Sequence, residues 1–222
     1  MNNVLLSSDI PANAFDKTNR ELEKRQLAGR VQVHDDLIPK ELQAQLAALM
    51  KKPIWAYGWK SNAEKDRYSF WHTHFAGGDL HSRVDCAPQL QASHPQIFQL
   101  WDLLSKTILV GHVPLRAYGN AHTFGTEGYI HVDNRDTDNY FSTIVYANPD
   151  WKAFWGGETL FYSLDEKDII KAVAALPFRV ATFPGHIPHK ANAPARDCPH
   201  LRTAIVFKSH VAAKHIQMPT EV

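Results

Sequence analysis

His131 and Asp133 in GYIHVDN, with His189 in FPGHIPHKA, are three side chains able to hold one transition-metal ion. Two imidazoles and one carboxylate on a single face leave about three positions of an octahedral ion open, an arrangement that suits iron(II) and leaves room for oxygen. His131 and Asp133 stand two residues apart in an extended segment, so both side chains point to one face. The pair alone is a weak signal, because a strand-end histidine bonded to a turn aspartate would look the same. RVATFPGHIPHKA strengthens it by adding an apolar strand, a Pro-Gly turn and two histidines. His186 competes for the third position, but it directly follows Pro184-Gly185 and is better placed to flank the site. His189 is therefore favoured.

Arg202 follows in RTAIVFK, a strand pattern with Arg202, Ala204 and Val206 on one face. If that face lines an interior, the guanidinium needs a partner, because an unpaired buried charge is costly. A small dicarboxylate would pair it through two parallel hydrogen bonds. A protein carboxylate such as Glu158 is the alternative.

The elements that must position these groups are partly visible. RVQVHDDLI begins with period-two alternation and reads as a short strand. The stretch 38–50 places Leu42, Leu46, Leu49 and Met50 at helical spacing, and 95–109 places Ile97, Leu100, Trp101, Leu104 and Ile108 on one stripe. Residues 1–30 are polar, and their charged run KTNRELEKR fits either a solvated helix or an ordered arm. Beyond residue 112 come seven strand candidates: VPLRAYGN, GYIHV, YFSTIVYAN, GGETLFY, AVAALP, RVATFPG and RTAIVFK. Short strands at this spacing point to a sandwich or barrel, and helices before strands give an α+β, mainly β, order. One domain is expected, with an arm, helices and a possible lid over 1–111, a catalytic core over 112–210 and a tail over 211–222.

The bulk properties exclude several classes. Lysine plus arginine number 24 against 23 acidic residues, so no field steers the chain to nucleic acid or an anionic membrane. No segment approaches the ~20 apolar residues of a membrane span, and the N-terminus lacks a secretory pattern. Cys86 and Cys198 form no framework, which makes a reducing, cytoplasmic setting the expectation. Of the 13 histidines, His72, His74, His81, His94, His112, His122 and His210 sit among polar or turn-like neighbours and read as surface or core-edge residues.

Taken in order, HVDN, TIVYANPDWKAFWGGETLFY, FPGHIPHKA and RTAIVF resemble the prolyl-4-hydroxylase-type 2-oxoglutarate and Fe(II)-dependent dioxygenases. The similarity spans roughly residues 112–210, and NPDW to WGGET is its most specific part. It implies a double-stranded β-helix, or jelly roll, with the site inside one open end. It implies His131, Asp133 and His189 as iron ligands and Arg202 on the distal carboxylate of 2-oxoglutarate. Tyr118 matches a tyrosine that bonds the co-substrate, Thr143 would donate a hydroxyl from STIVYAN, and Asn120 shares the face of Tyr118. Oxygen is then the second co-substrate and ascorbate a candidate reductant, while Asp133 tells against a halogenase. Arg202 stands where many prolyl 4-hydroxylases carry lysine, and RDCPH lengthens the step that precedes it.

The expected reaction is hydroxylation, or another oxidation, of an unactivated C–H bond. A small molecule such as an amino acid or natural-product intermediate is the preferred substrate, with a protein residue as the alternative. The aromatic segment 55–80 is expected to wall or cover the site, with Trp59, Arg67, Trp71 and His74 as candidates, although its tryptophans could simply pack. Arg116 shares the face of Tyr118 and could read an anionic substrate. Two other classes stay open: a non-catalytic jelly-roll binder, and a cupin-like metalloenzyme without 2-oxoglutarate. The complete set of His131, Asp133, His189 and Arg202 tells against both.

Overall fold

The strand-rich half folds as its alternation requires. In the computed structural model, which describes residues 12–62, 65–79, 82–136 and 139–211, the chain runs α1 (Ala12–Arg30), β1 (Gln32–His34), α2 (Lys40–Met50), β2 (Ala56–Trp59), β3 (Phe70–Gly77), α3 (Ala87–Ser93) and α4 (Pro95–Thr107). Then come β4 (His112–His122), β5 (Tyr140–Tyr146), a 3-10 turn (Ala153–Trp155), β6 (Thr159–Tyr162), β7 (Ile169–Val173), β8 (Val180–Pro184), β9 (His189–Ala191) and β10 (Arg202–Val211). The large sheet has the order β1-β8-β5-β10-β4-β3-β2 and the small one β7-β6-β9, with antiparallel pairing throughout. A bridge between His131 and His189 attaches the HVDN segment to the free edge of β9. Two facing sheets whose strands alternate between them in chain order make a double-stranded β-helix.

Strand parity divides the core in two. Ala117, Val145, Val180, Ile205 and Phe207 face outward and pack on Leu42, Leu46, Leu90, Ile97, Leu100 and Leu104 of the three helices α2, α3 and α4. Their neighbours Tyr118, Ile144, Tyr146, Ala181, Phe183, Ala204 and Val206 face inward, against Phe161 and Val173 of the small sheet. Burying each such aliphatic or aromatic side chain is worth about 1.5–3 kcal/mol, so one-residue slips of these strands are strongly disfavoured. Pro at the first turn starts α4, where a missing N–H costs nothing.

Residues 12–30 resolve the open choice at the N-terminus in favour of a helix. Leu27 and Val31 join the inner core, and Lys24 pairs with Asp168 at 2.5 Å. The first residues of the expected arm and nearly all of the tail lie outside the described residues. AVAALP is only partly strand, because β7 ends at Val173 and Leu176 enters a turn toward Phe178. GYIHV makes a single bridge rather than a strand. The segment 55–80 is mainly the β2–β3 hairpin, which extends the large sheet beside β4. No helix of the described residues is long and apolar enough to cross a membrane.

Candidate active site

The two histidines are presented in the same way. His131 Nδ1 donates to the Tyr129 carbonyl at 2.8 Å and His189 Nδ1 to the Ile187 carbonyl at 2.9 Å. Each ring is fixed in the tautomer that leaves Nε2 bare for a metal. Their backbones exchange hydrogen bonds of 3.1 and 3.0 Å, which bring the ring centroids to 4.5 Å. Gly185 places the carboxylate, its carbonyl accepting from the Asp133 and Asn134 N–H groups at 2.8 and 3.1 Å. Asp133 then lies 3.7 Å from His131 Nε2 and 3.4 Å from His189 Nε2. One ligand atom from each of His131, Asp133 and His189 lies within 4.8 Å of the other two, while His186 is outside this group. Burial pushes His189 down to about 3, so it is neutral and able to ligate at ordinary pH.

Arg202 sits at the far end of the cavity that these three residues line. It is 2% exposed. Gly156 and Gly157 have φ of 67° and 74°, conformations that side chains rarely adopt. They turn the Gly157 carbonyl onto Arg202 Nε, and a Cβ on Gly157 would come 3.0 Å from Arg202 Cδ. Trp151 braces the turn through its indole N–H on the Gly156 carbonyl at 3.0 Å, which is the physical content of the NPDW–WGGET run. Asn148 holds the two neighbours of Arg202, donating to the Leu201 carbonyl at 2.8 Å and accepting from the Thr203 N–H at 2.7 Å. The guanidinium lies over the Tyr146 ring, 5.2 Å from its centroid, with Nη2 3.4 Å from Thr159 Oγ1. Among the described residues no carboxylate comes within ion-pair distance of it. Glu158 instead accepts from Asn192 at 2.7 Å.

No protein-family model matches this sequence, and no curated protein matches it either. Solved structures do match. A 2OG-Fe(II) oxygenase family oxidoreductase from Burkholderia pseudomallei superposes with a TM-score of 0.64 at 14% identity, covering 87% of this chain and 91% of that one. A prolyl-4-hydroxylase from Pseudomonas putida gives 0.55 at 14% identity over 85% and 98%. The chain has the fold of the 2-oxoglutarate and iron(II) oxygenases. HygX from Streptomyces hygroscopicus, solved with nickel and 2-oxoglutarate bound, gives 0.55 at 10% identity over 82% of each chain.

Within this oxygenase fold, Tyr118 and Asn120 line the cavity. Thr143 does not. Ser142, Ile144 and Tyr146 are the inward residues of β5, and Thr143 faces the helices, hydrogen-bonded to Thr182 Oγ1 at 3.1 Å. The hydroxyl beside Arg202 in the cavity is that of Thr159, whose Oγ1 accepts from Tyr146 Oη at 2.8 Å and keeps its own proton to donate. Trp71 also faces outward, on the side of Thr73, which packs over Gly119 with Met50 and Trp55. Trp59 lines the mouth, while Arg67 is exposed outside it and His74 is exposed on the face of His72.

Besides Thr159, four further site residues were not assigned from the sequence: Lys208 and Ser142, and His72 and His122, which read there as surface or core-edge residues. His122, 1% exposed, is the register partner of Arg202; burial, with Arg202 next to it, pushes it down to about 3. His72 hydrogen-bonds Asn120 at 3.0 Å and stacks under Trp59, with centroids 4.0 Å apart. Lys208, 3% exposed, donates to Asp133 Oδ2 and to Ser142 Oγ at 2.9 Å, while Ser142 donates to the same carboxylate oxygen at 2.5 Å. Burial works to raise Asp133, but Lys208 and the two histidines outweigh it and hold the carboxyl well below its ordinary value. The visible signal was parity, since Lys208 continues the series Arg202, Ala204, Val206.

Proposed function

We propose that this chain is a 2-oxoglutarate- and iron(II)-dependent dioxygenase that hydroxylates, or otherwise oxidises, an unactivated C–H bond of a small molecule. The observation that carries this is Arg202, a buried cation with no carboxylate partner among the described residues, sharing one cavity with a His-Asp-His set. A cation left so would cost several kcal/mol, and a dicarboxylate end supplies two parallel charge-assisted hydrogen bonds. The residues fit iron(II): two imidazoles with bare Nε2 atoms, His189 kept neutral by its burial, and one ionised carboxylate, with room left for further ligands.

His131, Asp133 and His189 hold the metal in this reading. Arg202 and Thr159 take the distal carboxylate of 2-oxoglutarate, and Tyr118 and Asn120 flank its shaft. When bound, the iron supplies oxygen activation coupled to decarboxylation of 2-oxoglutarate to succinate. Ile144, Phe183, Ala204 and Val206 line the cavity walls and exclude water from the reacting groups. Asp66 ties the mouth loop to the metal-bearing segment, accepting from the Tyr129 N–H at 3.1 Å and the Asn62 N–H at 3.0 Å. A small-molecule substrate is supported by the adjoining cleft of about 410 Å³, a volume typical of such ligands.

The test is anaerobic titration of the iron(II)-loaded protein with 2-oxoglutarate, followed through the visible charge-transfer absorption that chelation produces. The band is expected to saturate, and Arg202→Ala is expected to shift saturation to far higher 2-oxoglutarate. No band from folded, iron-loaded protein refutes the proposal.

A further inference from the structure

The inward residues of β4 run from the closed end of the cavity to its mouth as His122, Asn120, Tyr118 and Arg116. Their register partners on β10 are Arg202, Ala204, Val206 and Lys208. Arg116 and Lys208 are therefore cross-strand neighbours on one face, an arrangement of like charges that repels. Lys208 is answered by Asp133. Arg116 is not: among the described residues no carboxylate lies within ion-pair distance, and its guanidinium rests over the Tyr118 ring, 4.8 Å from the centroid.

Arg116 is half-buried and lines the cleft of about 410 Å³ beside His131 and Asp133, with Lys60 and Trp59 on the same cleft. Asp79 also lines it, with Oδ1 held by the Ser82 N–H at 3.0 Å. The cleft thus offers two cations and a flat indole next to the metal ligands. We infer that the substrate is a small organic carboxylate whose carboxylate sits on Arg116, with Lys60 in support. This deepens the oxygenase reading and rests on it. The chain then carries two separate carboxylate seats. Arg202 takes the co-substrate, and Arg116, six residues and about 20 Å along β4 from the register partner of Arg202, takes the substrate. With its charged end held at the mouth, the substrate presents its carbon skeleton to the triad between the two seats.

The experiment uses manganese(II)-loaded protein saturated with 2-oxoglutarate and two probes, 3-phenylpropionate and 3-phenylpropionamide. It reads how strongly the bound ion shortens the proton relaxation times of each. The acid is expected to show a saturable effect at roughly tenfold tighter affinity than the amide, the worth of one charge-assisted contact. Arg116→Ala should bring the acid to the level of the amide, and Arg116→Lys should keep part of the preference. Equal effects from acid and amide, an undiminished preference in Arg116→Ala, or no effect from either probe overturns the inference. The same sample is first titrated with 2-oxoglutarate alone. Saturable co-substrate binding without discrimination between probes sinks only the carboxylate seat, whereas failure to bind 2-oxoglutarate sinks the oxygenase reading beneath it.

Discussion

Lys208→Met should destabilise the metal-free protein far more than the metal-loaded one. Methionine keeps most of the volume and removes the charge, so the change isolates the ammonium. In the metal-free state Lys208 is the counter-ion of Asp133, and both side chains are largely out of water, at 3% and 11% exposure. Stripping one partner from a buried pair costs about 3–5 kcal/mol. The low end applies here, because Asp133 keeps the Ser142 hydroxyl at 2.5 Å and has the His189 and His131 Nε2 atoms at 3.4 and 3.7 Å. A loss of about 3 kcal/mol in a chain of this size lowers Tm by roughly 6–12 °C. A divalent ion at the triad replaces the missing positive charge, and it no longer faces the repulsion of a neighbouring ammonium. The variant should therefore bind manganese(II) more tightly, and each tenfold gain returns about 1.4 kcal/mol to the loaded form. Thermal melts in chelator and in saturating manganese(II), with calorimetric titration of the ion, measure both effects. Equal Tm losses in the two conditions, or weaker manganese(II) binding, would refute the counter-ion role and leave Lys208 as a packing residue.

Thr159→Val should weaken 2-oxoglutarate binding up to about tenfold, the worth of one hydrogen bond, while Thr143→Val leaves it unchanged; equal effects would mean the inward face of β5 has been misassigned. Gly185→Ala would place a Cβ 2.6 Å from Tyr140 Cδ1 and push away the carbonyl that holds Asp133. Its metal affinity should fall with little change in Arg202-dependent co-substrate contacts, which a manganese(II) titration will show. Burial, with Arg202 next, depresses His122 to about 3, and burial, with His210 next, depresses His112 to about 4. The unfolded chain, with histidines near 6.5, then binds protons first as pH falls. Stability should be full above about pH 7 and drop between about 6.5 and 4. Urea unfolding at pH 7.5, 5.5 and 4.5 checks this, with a shallower dependence expected for His112→Gln; stability that rises on acidification would contradict the sign.

What was legible in the sequence follows from what parity and spacing can express. The amphipathic stripes of α2 and α4 carry their own period, and 38–50 and 95–109 match the observed Lys40–Met50 and Pro95–Thr107 closely. His131, Asp133, His189 and Arg202 were legible because each stands at a fixed offset from a turn or strand. The β2–β3 hairpin was not. Its residues mix aromatic, polar and glycine positions, and its strand character comes from pairing with β4 rather than from alternation. Thr143 failed for a sharper reason. STIVY carries apolar or β-branched residues at nearly every position, because both faces of β5 are covered, one by helices and the other by the small sheet. A strand buried on both sides has no visible inward face, and an error of one residue reverses every assignment.

The same limit explains why Lys208 was missed, and what it adds to Arg116, which its shared face with Tyr118 had already marked. In isolation a lysine at the end of an apolar strand reads as a solvated terminus. Parity with Arg202, Ala204 and Val206 puts Lys208 on the inward face, and the register of β10 on β4 lays it against Arg116. With that register in hand, the ladder has a cation at the closed end and two at the open end, where Asp133 pairs with Lys208 and Asp79 lines the cleft outside ion-pair distance of Arg116. Apolar burial alone would not place three cations there. They lie where a chain that seats two carboxylates and a carboxylate-ligated metal would need them: among the described residues Lys208 has Asp133, whereas Arg202 and Arg116 have no carboxylate at ion-pair distance.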